Sequence, residues 1–173
     1  MDVSQTEMQS MKEIVDKLVG IPLFTYEMQL NAPRPEGNYA AIKCVSSTNP
    51  GYDETKIVTV DGDDFFQTKG IRILTFYVLF SRMGDEYIKF DNSFILPECI
   101  AFMKSKKFAA LGKQALTLAT IQLETNWEVR QGISVQVNVL REQSVPVGTM
   151  SYANVGSEFY DGNSIITSTI KGI

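Results

Sequence analysis

Apolar residues recur at helical spacing near the start of the chain and alternate with polar ones over most of the remainder. In residues 3–19, Met8, Met11, Val15 and Leu18 fall on one helical face with Ile14 beside them. Ser4 and Glu7 form the S-x-x-E pattern of a capping box, Gly20 suits the position just past the helix end, and Pro22 prevents continuation. Residues 23–30, LFTYEMQL, alternate in part and read as extended. The segment NAPRPEGNYA (31–40) follows, in which Pro33 and Pro35 hold their own φ angles and Pro35 biases Arg34 away from helix. It reads as a stiff lead-in to a strand over 39–47. Turn formers at 48–55 and 61–64 bracket a short strand at 56–60.

The run GIRILTFYVLF (70–80) is apolar on both sides: Ile71, Ile73, Tyr77 and Leu79 on one, Leu74, Phe76, Val78 and Phe80 on the other. That pattern predicts a central strand covered on both faces over its second half. Residues 85–112 read as helical, started by Asp85 or Asp91, with Pro97 in a first turn or at a kink. Ser105 then caps a second short helix that ends at Gly112. A strand at 115–123 and a turn at Glu124 and Thr125 lead into residues 126–141. There Trp127, Val129, Ile133, Val135, Val137 and Val139 share one face, and Asn126, Glu128, Arg130, Ser134, Gln136 and Asn138 share the other. Fully extended, this run covers about 54 Å at ~3.4 Å per residue, against about 40 Å for a domain of this length. Either Gly132 makes a bulge or the strand projects and needs a partner. Residues 142–163 are rich in turn formers and read as an extended arm or long loop, and 164–173 as a closing strand. The expected class is α+β, an antiparallel (mixed) β-sheet with helices packed on one face, plus an extended C-terminal arm. Residues 1–141 form the single domain, to which 142–173 add the arm or loop and the closing strand.

Composition adds limits. Of 173 residues, 44% are hydrophobic and 21% charged, enough for one well-buried core. The net charge of −4 argues against gripping nucleic acid by its phosphates, and leaves open a surface past which DNA slides. Cys44 and Cys99 form no C-x-x-C pair and suit two free thiols in a reducing compartment. With no histidine, Ser-His-Asp and Cys-His sites cannot exist within the chain. The opening MDVSQTEMQS lacks the signal-peptide pattern, and no apolar run approaches the ~18 residues of a membrane span. No membrane is expected among the partners.

The candidate motifs for chemistry are weak. DGDD at 61–64 lacks the spacing of a calcium loop and reads as a polar hairpin turn. No phosphate-cradling glycine motif and no G-x-S-x-G is present. Glu124 with Glu128, or Asp63 with Asp64, reads as solvated charge rather than an acid/base pair. KSKK (104–107) places lysines where they favour a helix C-terminus. PRPEG lacks the proline repetition of an SH3-type ligand and reads as a connector. No enzyme activity, metal or cofactor is expected.

Taken together, Asn31, Pro33, Pro35, Gly37 and Tyr39 spell an N-x-P-x-P-x-G-x-Y entry to the first long strand, and Trp127, Glu128 and Arg130 open the alternating strand. In this, and in the order of elements across residues 5–141, the chain resembles the neck or tail terminator proteins of tailed bacteriophages. The resemblance implies a virion structural protein, made in the host cytoplasm and placed in the neck or tail. Such proteins form a homo-oligomeric ring, usually a hexamer, that ends the tail and joins it to the head-side connector. Neighbouring tail-tube and connector proteins are then its partners, and DNA passes through the lumen without sequence-specific binding. A head–tail adaptor or tail-tube-like subunit is the alternative within the same class, and a small cytoplasmic protein-binding module the alternative outside it.

Overall fold

The computed structural model describes residues 3–28, 35–81, 84–116, 121–123, 126–128, 131–147, 155–160 and 165–170, with the backbone alone for 121–123, 126–128, 155–160 and 165–170. Its elements are α1 (Gln5–Val19), β1 (Thr25–Glu27), β2 (Ala40–Thr48), β3 (Glu54–Val60), β4 (Asp63–Phe80), α2 (Asp85–Ser93), α3 (Pro97–Ser105), β5 (Phe108–Leu116), β6 (Ile121–Leu123), β7 (Asn126–Glu128), β8 (Gln131–Pro146), β9 (Val155–Tyr160) and β10 (Ile165–Ile170). The fold is α+β with a mixed sheet, as the hydrophobic pattern predicts. The chain divides into two compact units, one of residues 1–53 and 69–141, the other of residues 54–68 and 142–173.

In the first unit the strand order is β1-β2-β4-β8-β5. β1 runs parallel to β2, β2 antiparallel to β4, and β5 antiparallel to β8. Strict alternation gives the sheet one greasy face. Ala40, Ile42 and Cys44 of β2, Phe76, Val78 and Phe80 of β4, and Ile133, Val135, Val137 and Val139 of β8 are all buried there. Met8, Met11, Ile14, Val15, Leu18 and Val19 of α1 join them in one core with Phe90, Phe94, Cys99 and Met103. Each large side chain sealed in this layer contributes roughly 1.5–3 kcal/mol of apolar burial. An aromatic run ties the helices to β4, with ring centroids 6.4 Å apart for Phe24 and Phe80, 5.8 Å for Phe80 and Phe90, and 6.1 Å for Phe90 and Phe94.

Helix α1 begins and ends as its sequence predicts. The Ser4 hydroxyl accepts from the Glu7 N–H at 3.1 Å, and the Glu7 carboxylate accepts from the Ser4 N–H at 2.7 Å, so two orphan donors are satisfied reciprocally. Gly20 closes the last turn by donating to the Asp16 carbonyl at 2.8 Å.

Several expectations are corrected. Residues 85–112 are not helical throughout: α3 stops at Ser105, and Phe108–Leu116 is strand β5, held by pairing with β8. Ser105 is therefore no N-cap, and its hydroxyl donates back to the Phe102 carbonyl at 2.7 Å. The N-cap of α2 is Gly84, which leaves Asp85 as the first helical residue and Asp91 inside the helix. Pro97 does start a helix, at the first turn of α3. β4 is central but covered on one face only, since Ile71 remains 48% exposed and Tyr77 37%. Gly132 pairs in register with Leu116, and the irregularities fall instead between Cys44 and Ser46 in β2 and between Ala110 and Gly112 in β5. The run 126–141 divides into β7 and β8, with Val129 and Arg130 outside the described residues.

In the second unit β3 pairs with β4 across a two-residue turn, Asp61-Gly62. Both have positive φ, 53° and 92°, the signature of a type I′ turn, whose twist suits a hairpin. The Val147 N–H donates to the Asp64 carbonyl at 2.8 Å, and the Gln67 amide donates to the Glu142 carboxylate at 2.8 Å. The segment read as an arm thus begins as the end of β8. It later contains β9, which pairs antiparallel with the closing strand β10.

Candidate functional site

The proline segment ends in a buried clasp. Of its marker positions, Pro35, Gly37 and Tyr39 are described, whereas Asn31 and Pro33 lie outside the described residues. Gly37 has φ +82°, a conformation that an L side chain adopts only under strain, which explains glycine at this bend. Tyr39 is buried, and its N–H donates to the Ser81 hydroxyl at 3.1 Å while the Ser81 N–H donates to the Tyr39 carbonyl at 3.0 Å. The Tyr39 ring meets the edge of Tyr26 with centroids 6.2 Å apart. The Asn38 amide reaches the Glu86 carboxylate of α2 at 3.2 Å. This elbow is therefore fixed to β1, to the residue after β4, and to α2.

The second group of marker residues does not join the first. Trp127 and Glu128 lie on β7, opposite Gln122 and Ile121, in a two-stranded sheet separate from the one that Tyr39 enters. Arg130 is outside the described residues.

Long-range ion pairs, invisible to local pattern, pin the sheet and helices together. Arg141 of β8 grips Glu7 of α1 with two nitrogens, Nε to Oε1 at 3.0 Å and Nη2 to Oε2 at 2.8 Å. Burial pushes the Glu7 carboxyl up, but Arg141 and the Ser4 N–H together hold it below the ordinary value. Arg72 chelates Asp53 through two bonds of 2.7 Å, which lowers the Asp53 pKa. Gly70 makes room for that pair, because a Cβ there would collide with the Asp53 carboxylate. Lys106 binds Glu13, lowering its pKa, and Lys113 binds Asp91. Burial, first of all, raises the Cys99 thiol.

The face of the sheet opposite the helices has a different chemistry. The register puts Ala41 beside Leu79, Lys43 beside Tyr77, Ser46 beside Thr75 and Thr48 beside Ile73, and β8 adds Ser134, Gln136, Asn138 and Leu140. Lys43 is the one ionic residue among these. At one end of this face, Leu79 and Leu116 close over Gly132, where a Cβ would lie 2.6 Å from Leu79 Cδ2 and 3.1 Å from Leu116 Cδ1. The expectation of a polar face on β8 holds for Ser134, Gln136 and Asn138, and the role of Gly132 as a landing place for leucines had no signal in the alternation.

Among the described residues, no group of three or more His, Cys, Asp or Glu is placed to hold a metal. The arrangement presents faces and edges for contact. Residues 8–163, spanning the elbow, both marked strands and the second unit as far as β9, match the family model described as phage neck terminator protein. The chain belongs to the phage neck terminator family. No curated protein matches it. Phage neck terminators are structural proteins of the virion, so the clasp and faces belong to a part that touches other phage tail and head proteins. The capping box of α1 and strand β10 lie outside the matched span. No helix among the described residues is long and apolar enough to cross a membrane.

Proposed function

We propose that this neck terminator closes with copies of itself into a hexameric ring that ends the tail and joins it to the head-side connector, with DNA passing through the lumen. The family match across residues 8–163 carries this reading. Two physical features support it. The open sheet face, where Lys43 is the one ionic residue among the positions named above and Lys69 stands farther along β4, offers mostly hydroxyls and amides rather than a cluster of cations, so a phosphate backbone passing it would release few counterions and find little to hold it. The second unit also carries apolar side chains that its own described residues leave uncovered, as a subunit that finishes folding against a neighbour would. A ring of identical subunits needs head-to-tail contacts that close by rotation.

In this ring the elbow of Asn31, Pro33, Pro35, Gly37 and Tyr39 sets the angle between α1 and the sheet, and Trp127, Glu128 and Arg130 mark a strand near a subunit contact. Residues 142–173 serve as the arm toward the neighbour. The protein is made in the host cytoplasm and acts without a cofactor. Cryo-electron microscopy of purified particles tests the reading: a six-fold density at the head–tail junction that fits this fold is expected. Twelve copies there would instead indicate an adaptor, and absence from the particle would refute a virion role.

A further inference from the structure

The hairpin of β3 with the start of β4 carries a surface that the described residues of the chain do not cover. No described residue in 54–68 or 142–147 is buried. Ile57 is 63% exposed, Val60 52% and Phe66 46%. β3 hydrogen-bonds with β4 alone, so its second edge is open among the described strands. Open, apolar edges invite pairing with another chain and are normally blunted or covered. The turn at the end of this hairpin is strongly acidic, with Asp61, Asp63 and Asp64 all exposed.

The same chain presents a complementary surface elsewhere. β5 is the last strand of its sheet and its outer edge is open among the described strands. Leu111 on that strand is 50% exposed. Just before it, at the C-terminal end of α3, Lys104 and Lys107 are exposed. Lys106 between them is already committed to Glu13 and lies over the Phe102 ring. Acid and apolar side chains on the hairpin thus find base and apolar side chains at the corner of α3 and β5.

We infer that the β3–β4 hairpin of one copy docks on the α3–β5 corner of the next, with Asp63 and Asp64 at its tip against Lys104 and Lys107, and Ile57 and Phe66, which share one face across the two strands, against Leu111. This inference rests on the ring reading and names the contact that would build it. The occupant is a second copy because the two surfaces are unlike each other, complementary in charge, and present on every subunit. An unlike pair of patches gives a head-to-tail contact, the kind that closes rings. DNA is a poor occupant of the hairpin, since its phosphates would meet three carboxylates.

The test uses two charge reversals in the full chain, Asp63→Lys with Asp64→Lys, and Lys104→Glu with Lys107→Glu. Assembly is followed by mass photometry and folding by thermal melts. Wild type assembles, and each variant alone associates about a hundredfold more weakly, because like charges then face each other. An equimolar mixture regains assembly, since each variant keeps one native surface and offers one reversed surface that suits the other. The restored particles contain even numbers of subunits with the two variants alternating, which also shows that both variants are folded. If wild type assembles and either variant does so equally well, or if the mixture stays monomeric, this contact is refuted and the ring reading stands. If wild type stays monomeric at every concentration and is absent from particles, both fail.

Discussion

The grip of Arg141 on Glu7 is a sharp point at which to test how this fold is held. One carboxylate serves three donors: the Ser4 N–H at 2.7 Å, Arg141 Nη2 at 2.8 Å and Arg141 Nε at 3.0 Å. It thereby links the first turn of α1 to β8, two elements 134 positions apart in sequence. Exchanging Glu7→Gln keeps a capping-box side chain but removes the charge, and Arg141→Met keeps much of the apolar stem. An exposed surface pair is worth about 0.2–1 kcal/mol. Here the side chains are only 14% and 27% exposed, and the geometry is two-pronged, so a coupling of about 1–2 kcal/mol is expected. It should not reach the ~3–5 kcal/mol of a fully buried broken pair, because Arg141 still reaches water. Urea denaturation of the two single variants, the double variant and the parent gives the coupling directly. Since the folded pKa of Glu7 lies below its ordinary 4.5, the stabilisation is fully present above that value and disappears as pH falls through the folded one. A coupling at pH 7 below about 0.3 kcal/mol, or one that does not shrink on acidification, would refute the argument.

Other outcomes follow from the same physics. With no histidine, and with Glu7, Glu13 and Asp53 all held below their ordinary values, stability should be flat from about pH 5.5 to 8 and fall only below the ordinary carboxylate range, as read by melts across pH; a midpoint that changes steeply near pH 6.5 would contradict this. Ser81→Ala removes the acceptor of the buried Tyr39 N–H and should cost about 1–3 kcal/mol in chemical denaturation, whereas a cost near zero would mean that the clasp is solvated. Thr25 is 3% exposed and its hydroxyl has no hydrogen-bond partner among the described residues, so Thr25→Val should stabilise by about 1 kcal/mol; a loss of that size instead would show that the hydroxyl is bonded.

How much of this was legible beforehand varies with the range of the interaction that decides each element. α1 was readable to its ends because Ser4, Glu7 and Gly20 act within a turn of the residues they cap. β8 was readable because Ile133, Val135, Val137 and Val139 alternate without interruption. β5 was misread as helix for a physical reason. Its Ala, Leu and Lys residues favour helix, and the irregularity between Ala110 and Gly112 breaks the two-residue period, while pairing with β8 overrides both. The face of β4 that bears Ile71 and Tyr77 looked buried because apolar content does not say which layers exist to cover it. Of the marker residues, the prolines announced a stiff lead-in to the strand, but the bend at Gly37 and the burial of Tyr39 were not read, and Ser81, which completes the clasp, sits 42 positions away and has no local signal. The pairs of Asp53 with Arg72 and Glu7 with Arg141 were unreadable for the same reason.

The central claim, that this neck terminator acts as a closed ring of identical subunits, is tested most directly by native mass spectrometry of the full chain across a range of concentrations. A closed ring gives a dominant species of six times the subunit mass, with no larger species beyond it. A species that stays at the subunit mass at every concentration, or one that grows without closing, would contradict it.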